Sequence, residues 1–166
     1  MTKDAIYARL DALGVPYTRF EHEAAFTMEE CYALPFAEPD VTICKNMLLC
    51  NTQRTQFYLY ISPAGKRFRT SAVSKLIGTS RLSFAPEEAL MERLETASGS
   101  LSPFGLWCPH AEGVRFVADQ GVRMTARIAF HPCDNTSTVV FRQEDFWERV
   151  APTFRGGVMW IDAPEA

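Results

Sequence analysis

The sequence of 166 residues lacks an apolar run long enough to form a membrane-spanning helix. Its first 13 residues include acidic side chains and have neither the apolar core nor the cleavage site of a secretory signal peptide. Length and composition, with 22% charged residues, favour one globular domain over residues 1–166. We therefore expect a cytoplasmic protein without a membrane partner.

Several catalytic motifs are also absent. The chain contains no GxGxxG, no GxxxxGKS or GxxxxGKT, no HExxH and no GxSxG. These absences remove the main support for a dinucleotide-binding fold, a phosphate-binding loop, a zinc metalloprotease and a serine hydrolase. Any catalytic function must therefore depend on other groups.

The cysteine pattern gives little support to a disulfide framework or a metal site. The five cysteines are odd in number and form no CxxC pair, so we expect free thiols. Cys108-Pro-His110 and His131-Pro-Cys133 together offer two thiols and two imidazoles, which zinc can bind. Pairs separated by a single proline are not spaced as in a zinc knuckle. We therefore favour buried cysteines and ordinary histidines, and expect no metal and no cofactor.

Charge argues against a protein that coats nucleic acid, because the formal net charge is −3. We accordingly expect no DNA partner. One segment nevertheless concentrates basic residues without any acidic residue between them. Either it is a solvated loop and helix, or it neutralises phosphates. Its basic residues are Lys66, Arg67, Arg69, Lys75 and Arg81.

Hydrophobic periodicity and turn residues predict an irregular alternation of short helices and strands. Hairpins occur as well as crossovers, which favours one mixed α/β domain with a central sheet over a doubly wound parallel sheet. The predicted helices cover residues 4–13, 27–34, 71–78, 86–94 and 143–150. The predicted strands cover residues 41–50, 56–62, 82–84, 114–118, 127–130, 138–141 and 158–161, after an extended segment at 15–21.

Three segments carry polar residues that packing alone explains poorly. Lys45 and Asn46 stand at the start of an otherwise apolar strand, either as a solvated strand end or as a fixed cation beside an amide. Residues 99–105 form a glycine- and proline-containing loop, either a plain turn or a set of N–H groups aimed at one oxyanion. His131 ends a strand before a tight turn, either as a structural histidine or as a catalytic one.

In chain order, these segments and their neighbours resemble the prolyl-tRNA editing family, also called the YbaK/ProX family. The resemblance implies a mixed, partly barrel-like sheet surrounded by short helices. It also implies hydrolysis of the ester that joins a wrongly attached amino acid to transfer RNA. The matching segments are residues 26–30, 45–49, 99–106 and 114–119, followed by residues 130–132 and 135–136.

Within this resemblance, Lys45 would bind the phosphate or ribose of the terminal adenosine, and Asn46 would orient the aminoacyl group or the attacking water. Backbone N–H groups from Gly99 through Ser100 to Ser102 would hold the developing oxyanion. The 2′-hydroxyl of the substrate would help to activate water, with His131 as the alternative base. Substrate-binding residues would be Phe26, Met28, Met47, Pro103 and Asn135.

The partner implied by the resemblance is the acceptor end of a mischarged tRNA, whose phosphates would meet the basic segment. Asparagine directly after the lysine is similar to the branch of the family that removes alanine from proline tRNA. Removal of cysteine or serine is the nearest alternative. A non-catalytic module that binds tRNA or prolyl-tRNA synthetase is the alternative from another functional class.

Overall fold

A computed structural model of the chain describes residues 1–25, 27–34 and 36–166. The helices in these residues are α1 (Lys3–Leu13), α2 (Met28–Tyr32), α3 (Thr70–Ile77), α4 (Glu87–Leu94) and α5 (Gln143–Asp145). Thr2 and Thr27 begin α1 and α2, because each hydroxyl accepts a hydrogen bond from the N–H three residues later. Gly14 and Gly78 end α1 and α3 in the left-handed conformation.

The described residues also form an eight-stranded mixed sheet. Its strands are β1 (Thr18–Glu21), β2 (Val41–Asn51), β3 (Phe57–Pro63), β4 (Leu82–Phe84), β5 (Val114–Asp119), β6 (Arg127–Phe130), β7 (Ser137–Arg142) and β8 (Val158–Ile161). The strand order is β1-β7-β6-β2-β3-β5-β8, and β4 pairs with β2. The predicted mixed α/β class with a central sheet is confirmed, and the sheet is open, with β1 and β8 at its edges.

The long strand β2 joins the two halves of the sheet. Its first residues pair in parallel with β6, and its later residues pair with β3 in an antiparallel ladder. Parallel pairing also joins β5 to both β3 and β8, whereas β7 is antiparallel to both β1 and β6. This arrangement requires crossovers between distant strands, as the irregular order of predicted elements indicated.

Apolar side chains fill both faces of the sheet. The largest cluster packs α1, α4 and the 3₁₀ turns after α4 against it, with Phe104 and Phe146 wholly buried. A second cluster lies beneath α3, whose Val73 packs with Tyr60 and Leu82. A third joins Phe36 to Val41, Ala129 and Val140. Burial of this kind is the main source of stability in a domain of this size.

The predicted helix over residues 143–150 is not a regular α-helix in the structure. It begins as α5, widens into a π-helical turn at Phe146–Val150 and ends in a 3₁₀ turn at Ala151–Thr153. Pro152 accounts for its end, because proline has no N–H to extend a helix. None of the helices in the described part of the chain has the length and apolar character needed to cross a bilayer.

Candidate active site

The divergence of β2 from β6 opens the candidate site. Ile43 and Ala129 form the last pair between the two strands, after which β6 ends at Phe130 and β2 continues along β3. A cavity of about 230 Å³ lies at this point. Its lining residues are Ala25, Thr27, Met28, Cys31, Phe36, Ile43, Cys44, Lys45, Asn46, Met47, Ser98, Gly99, Leu101, Ala129, Phe130, His131 and Thr138.

Lys45 is a partly buried cation at this cavity. Its ammonium donates a hydrogen bond to the Lys66 carbonyl, with an Nζ–O distance of 2.6 Å, and lies 5.4 Å from the centre of the Phe68 ring. Burial lowers the pKa of Lys45, and the charge of Glu165 opposes that effect. An ammonium has three N–H donors, so Lys45 retains donors for a ligand.

Asn46, the next residue on β2, has an unused acceptor. Its Nδ2 donates to the Cys44 carbonyl at 3.3 Å, but its buried Oδ1 has no hydrogen-bond partner within the described residues. A buried acceptor left unpaired costs about 1–3 kcal/mol. A ligand with an N–H or O–H group in the cavity would remove this cost.

A hydrogen-bond network defines the tautomer of His131. His131 Nδ1 lies 2.9 Å from the Ser137 carbonyl, which can only accept, so Nδ1 carries the proton. His22 likewise donates from Nδ1 to the Glu23 carbonyl at 2.8 Å, and its Nε2 lies 2.8 Å from the Thr138 hydroxyl oxygen. The same hydroxyl oxygen lies 3.2 Å from His131 Nδ1 and can accept from it. His131 Nε2 is therefore left with its lone pair.

The His131 lone pair faces a thiol rather than an acid. Its Nε2 lies 3.7 Å from the Sγ of Cys31, and burial lowers the pKa of His131, which favours the neutral imidazole. Burial raises the pKa of the Cys31 and Cys44 thiols, so both stay protonated near neutral pH. The site therefore contains a neutral base and no activated cysteine nucleophile among its lining residues.

The predicted oxyanion loop borders the cavity through only part of its length. Ser98–Ser100 is a 3₁₀ turn, in which the Ser100 N–H donates to the Ala97 carbonyl at 3.0 Å. Of the predicted loop, Gly99 and Leu101 line the cavity. Ser102 is wholly buried, and its hydroxyl lies 3.6 Å from the Sγ of Cys133.

Of the predicted site residues, the structure brings six to one cavity: Lys45, Asn46, Gly99, His131, Met28 and Met47. Four others do not line it, namely Ser100, Ser102, Pro103 and Asn135. Pro103 is buried at the start of a 3₁₀ turn, and the Asn135 carbonyl accepts the Ala25 N–H at 3.1 Å. Phe26 lies outside the described residues.

Sequence reasoning did not single out Cys31, Thr138 or Phe36 as lining residues. Cys31 had a usable signal, because residues three apart on a helix share a face and Met28 was already a candidate. Thr138 had none, since it reaches the cavity through the pairing of β6 with β7. Phe36 likewise depends on the path of the chain between α2 and β2.

The basic segment divides into one paired lysine and four exposed cations. Lys66 forms ion pairs with Asp119 at 3.0 Å and with Asp162 at 3.7 Å. The other four are exposed and form no ion pair with any residue that the structure describes. They are Arg67, Arg69, Lys75 and Arg81.

Metal binding requires several donor side chains that converge on one point. Across residues 1–25, 27–34 and 36–166, no three or more His, Cys, Asp or Glu side chains converge as metal ligands would. Cys108, His110, His131 and Cys133, the residues of the zinc alternative, thus form no such group.

Comparison with known proteins identifies the family. The model of the aminoacyl-tRNA editing domain matches residues 22–148. The prolyl-tRNA editing protein ProX of Acetoanaerobium sticklandii is 34% identical over 143 residues, which are 86% of this chain and 87% of that protein. The prolyl-tRNA synthetase associated domain-containing protein 1 of Bos taurus is 28% identical over 147 residues, 86% of this chain and 84% of that one.

A solved structure described as "a putative trans-editing enzyme for prolyl tRNA synthetase" has the same fold. Its TM-score is 0.77 at 16% identity, and the match covers 99% of this chain and 97% of that one. Sequence and fold thus agree, and the chain belongs to the aminoacyl-tRNA editing domain family, with the prolyl-tRNA editing proteins among its relatives.

Proposed function

We propose that this protein is a trans-editing deacylase that hydrolyses the ester of mischarged proline tRNA, with alanyl-tRNA(Pro) as its substrate. The observation that carries the proposal is the meeting of Lys45, Asn46 and Gly99 at one cavity beside a neutral His131. The relatives' names, prolyl-tRNA editing protein above all, support the same reaction.

In this mechanism the ammonium of Lys45 binds the terminal phosphate or ribose through charge-assisted hydrogen bonds. The free Oδ1 of Asn46 accepts a hydrogen bond from the α-ammonium group of the aminoacyl moiety or from the attacking water. The backbone N–H groups of Gly99 and Leu101, the two residues of the predicted loop that line the cavity, stabilise the negative charge that develops on the carbonyl oxygen.

Water then attacks the ester carbonyl carbon, and the bond from that carbon to the ribose oxygen breaks. The proton lost by water ends on the ribose oxygen, so the products are the free amino acid and an uncharged tRNA. The neighbouring 2′-hydroxyl of the substrate assists the proton transfer, and Nε2 of His131 is the alternative base. No covalent enzyme intermediate is needed, in keeping with the raised pKa of the Cys31 thiol.

Discrimination depends on the size and shape of the cavity. Met28, Met47 and Phe36 supply much of its apolar wall. One methylene group in an apolar pocket is worth only about 1–3 kcal/mol, so rejection of proline requires a steric clash rather than weaker packing. Cysteine and serine are close to alanine in size, which makes their tRNA esters the nearest alternative substrates.

The partner is the acceptor end of the mischarged tRNA, which the exposed cations of the basic segment would contact through its phosphates. Prolyl-tRNA synthetase is a further candidate partner, because the names of relatives refer to it. Such a substrate is met where translation occurs, so we place the protein in the cytoplasm.

The decisive test is deacylation of alanyl-tRNA(Pro), prolyl-tRNA(Pro) and cysteinyl-tRNA by wild type and by Lys45→Ala. We expect rapid loss of alanine only, with a fall of at least about a hundredfold in Lys45→Ala, as for the removal of other charge-stabilising groups. Loss of cysteine instead would overturn the alanine assignment. No loss from any substrate would favour the non-catalytic module that binds tRNA or the synthetase.

A further inference from the structure

Asp119, at the end of β5, is a wholly buried carboxylate that joins two distant segments to its own. Its oxygens accept hydrogen bonds from Lys66 Nζ at 3.1 and 3.0 Å, from the Gly121 N–H at 2.8 Å and from the Ala163 N–H at 3.0 Å. A buried carboxylate is tolerated only when it is paired and hydrogen-bonded in this way. Asp119 therefore holds the loop after β3 and the segment after β8 in one place.

Lys66 connects this buried carboxylate to the candidate active site. Its side chain pairs with Asp119, while its backbone carbonyl accepts the hydrogen bond from Lys45 at 2.6 Å. The other side of the same peptide group is also fixed, because the Arg67 N–H donates to a carboxylate oxygen of Glu165 at 3.2 Å. The carbonyl that orients the Lys45 ammonium thus belongs to a peptide group held from both ends.

We propose that Lys66 is a positioning residue, which through its ion pair with Asp119 fixes the carbonyl that orients Lys45 for the reaction. The inference rests on the proposed function, since Lys45 is placed there as the group that binds the terminal nucleotide. Lys66 itself touches no substrate. It differs in this from the other basic residues of its segment, whose side chains are exposed.

Kinetic measurements distinguish a positioning role of Lys66 from a direct interaction of Lys66 with tRNA phosphate. Removal of a cation that neutralises a phosphate raises KM and lowers the slope of log KM against log salt concentration by about 0.7–0.9. Disturbed positioning lowers kcat and retains the part of this slope that the four exposed cations supply, because none of their contacts with tRNA phosphates is removed. For Lys66→Met we expect kcat to fall between about tenfold and a hundredfold, as misplacement of a reacting group does.

Lys75→Met is the matched variant, since it removes the same charge from an exposed position of the same segment. Its effect should be confined to KM and the salt slope. Lys66→Arg retains a cation for Asp119 and should keep kcat within a few-fold of wild type. If Lys66→Met does not fold with Asp119 unpaired, the double variant Lys66→Met/Asp119→Asn removes the buried charge, and the same fall in kcat is expected of it.

A measurement that does not depend on catalysis tests the role of Lys66 separately from the proposed function. The ammonium signal of Lys45, followed by ¹⁵N NMR, should be slowed in hydrogen exchange in wild type and lose that protection in Lys66→Met. An unchanged Lys45 signal, or a Lys66→Met variant with wild-type kcat and a reduced salt slope, would overturn the positioning role. A wild type without deacylase activity would instead overturn the proposed function, and the NMR result would still decide the role of Lys66.

Discussion

At the residue scale, the unpaired Oδ1 of Asn46 predicts that replacing this residue affects stability and activity in different ways. In Asn46→Leu we expect an unchanged or higher free energy of unfolding, because an unsatisfied buried acceptor worth about 1–3 kcal/mol is removed. We also expect kcat/KM to fall about tenfold or more, as loss of a hydrogen bond to a charged group does. Denaturant unfolding and deacylation assays measure the two effects.

Asn51→Leu is the matched control for that substitution. Its Oδ1 accepts from the backbone N–H of Thr55 at 2.8 Å and of Gln56 at 3.1 Å, so its loss should lower stability instead. Asn46→Leu with full activity would remove Asn46 from the mechanism.

The lowered pKa of His131 predicts a pH dependence of stability. The folded protein favours neutral His131, so the unfolded chain binds the proton more readily. The stabilisation is present above the unfolded histidine pKa of about 6.5 and is lost as the pH falls towards the lower folded value. Thermal unfolding between about pH 7.5 and 5 should show less of this loss in His131→Gln than in wild type.

The same variant decides which group activates water. If His131 is the base, wild-type kcat declines over that acidic range and His131→Gln loses most of its activity. If the 2′-hydroxyl of the substrate suffices, the variant changes stability and leaves kcat near that of wild type. His110→Gln, at an exposed histidine, is the control. If the His110→Gln variant also lost activity, the loss in His131→Gln would not identify His131 as the base.

At the scale of elements, α2 is a short helix whose N-cap supports the cavity wall. The Thr27 hydroxyl accepts the Glu30 N–H at 3.1 Å, and α2 presents Met28 and Cys31 to the cavity. Thr27→Ala should cost about 1 kcal/mol of helix stability. Because five residues form few internal hydrogen bonds, we expect a higher KM and weaker discrimination between aminoacyl groups.

Thr2→Ala provides the comparison for that prediction. Its hydroxyl caps α1 in the same manner, accepting the Ala5 N–H at 3.2 Å, but α1 does not line the cavity. Deacylation kinetics with several aminoacyl-tRNAs should therefore change in Thr27→Ala only. Equal kinetic changes in both variants would mean that α2 contributes only to overall stability and not to substrate discrimination.

At the scale of the whole molecule, a net charge of −3 coexists with a basic segment in which four of the five cations are exposed. If the segment binds tRNA, Arg69→Glu/Lys75→Glu should raise KM and reduce its salt slope by about one for each phosphate that is no longer neutralised. Arg115→Glu/Arg155→Glu changes the net charge equally from exposed positions outside the segment. KM and slopes that match in the two double variants would exclude a local tRNA surface there.

Most elements of the fold were predictable because their signals are local. The N-cap at Thr27, the glycine after α3 and the apolar run of β2 each act within a few residues. The helix predicted over residues 143–150 was less accurate, since its π-helical turn has no recognised local signal and only Pro152 accounts for its end.

The composition of the site was predictable only in part. Lys45 and Asn46 stood out because polar residues at an apolar strand are unusual. The sequence does not indicate that Ser102 is buried. Nor does it indicate that Lys66 forms an ion pair with Asp119, 53 residues away along the chain. Contacts of this range depend on how strands pair, which a single sequence does not specify.

The sequence by itself determined the helices and strands, the mixed α/β class and the resemblance to an editing family, because propensity, capping and motifs are properties of neighbouring residues. Only the tertiary structure decided which polar groups share the cavity. The separation of β2 from β6 after Ile43 places Asn46, Gly99 and His131 around one space. That separation arises from the pairing of distant strands, so no stretch of the sequence contains it.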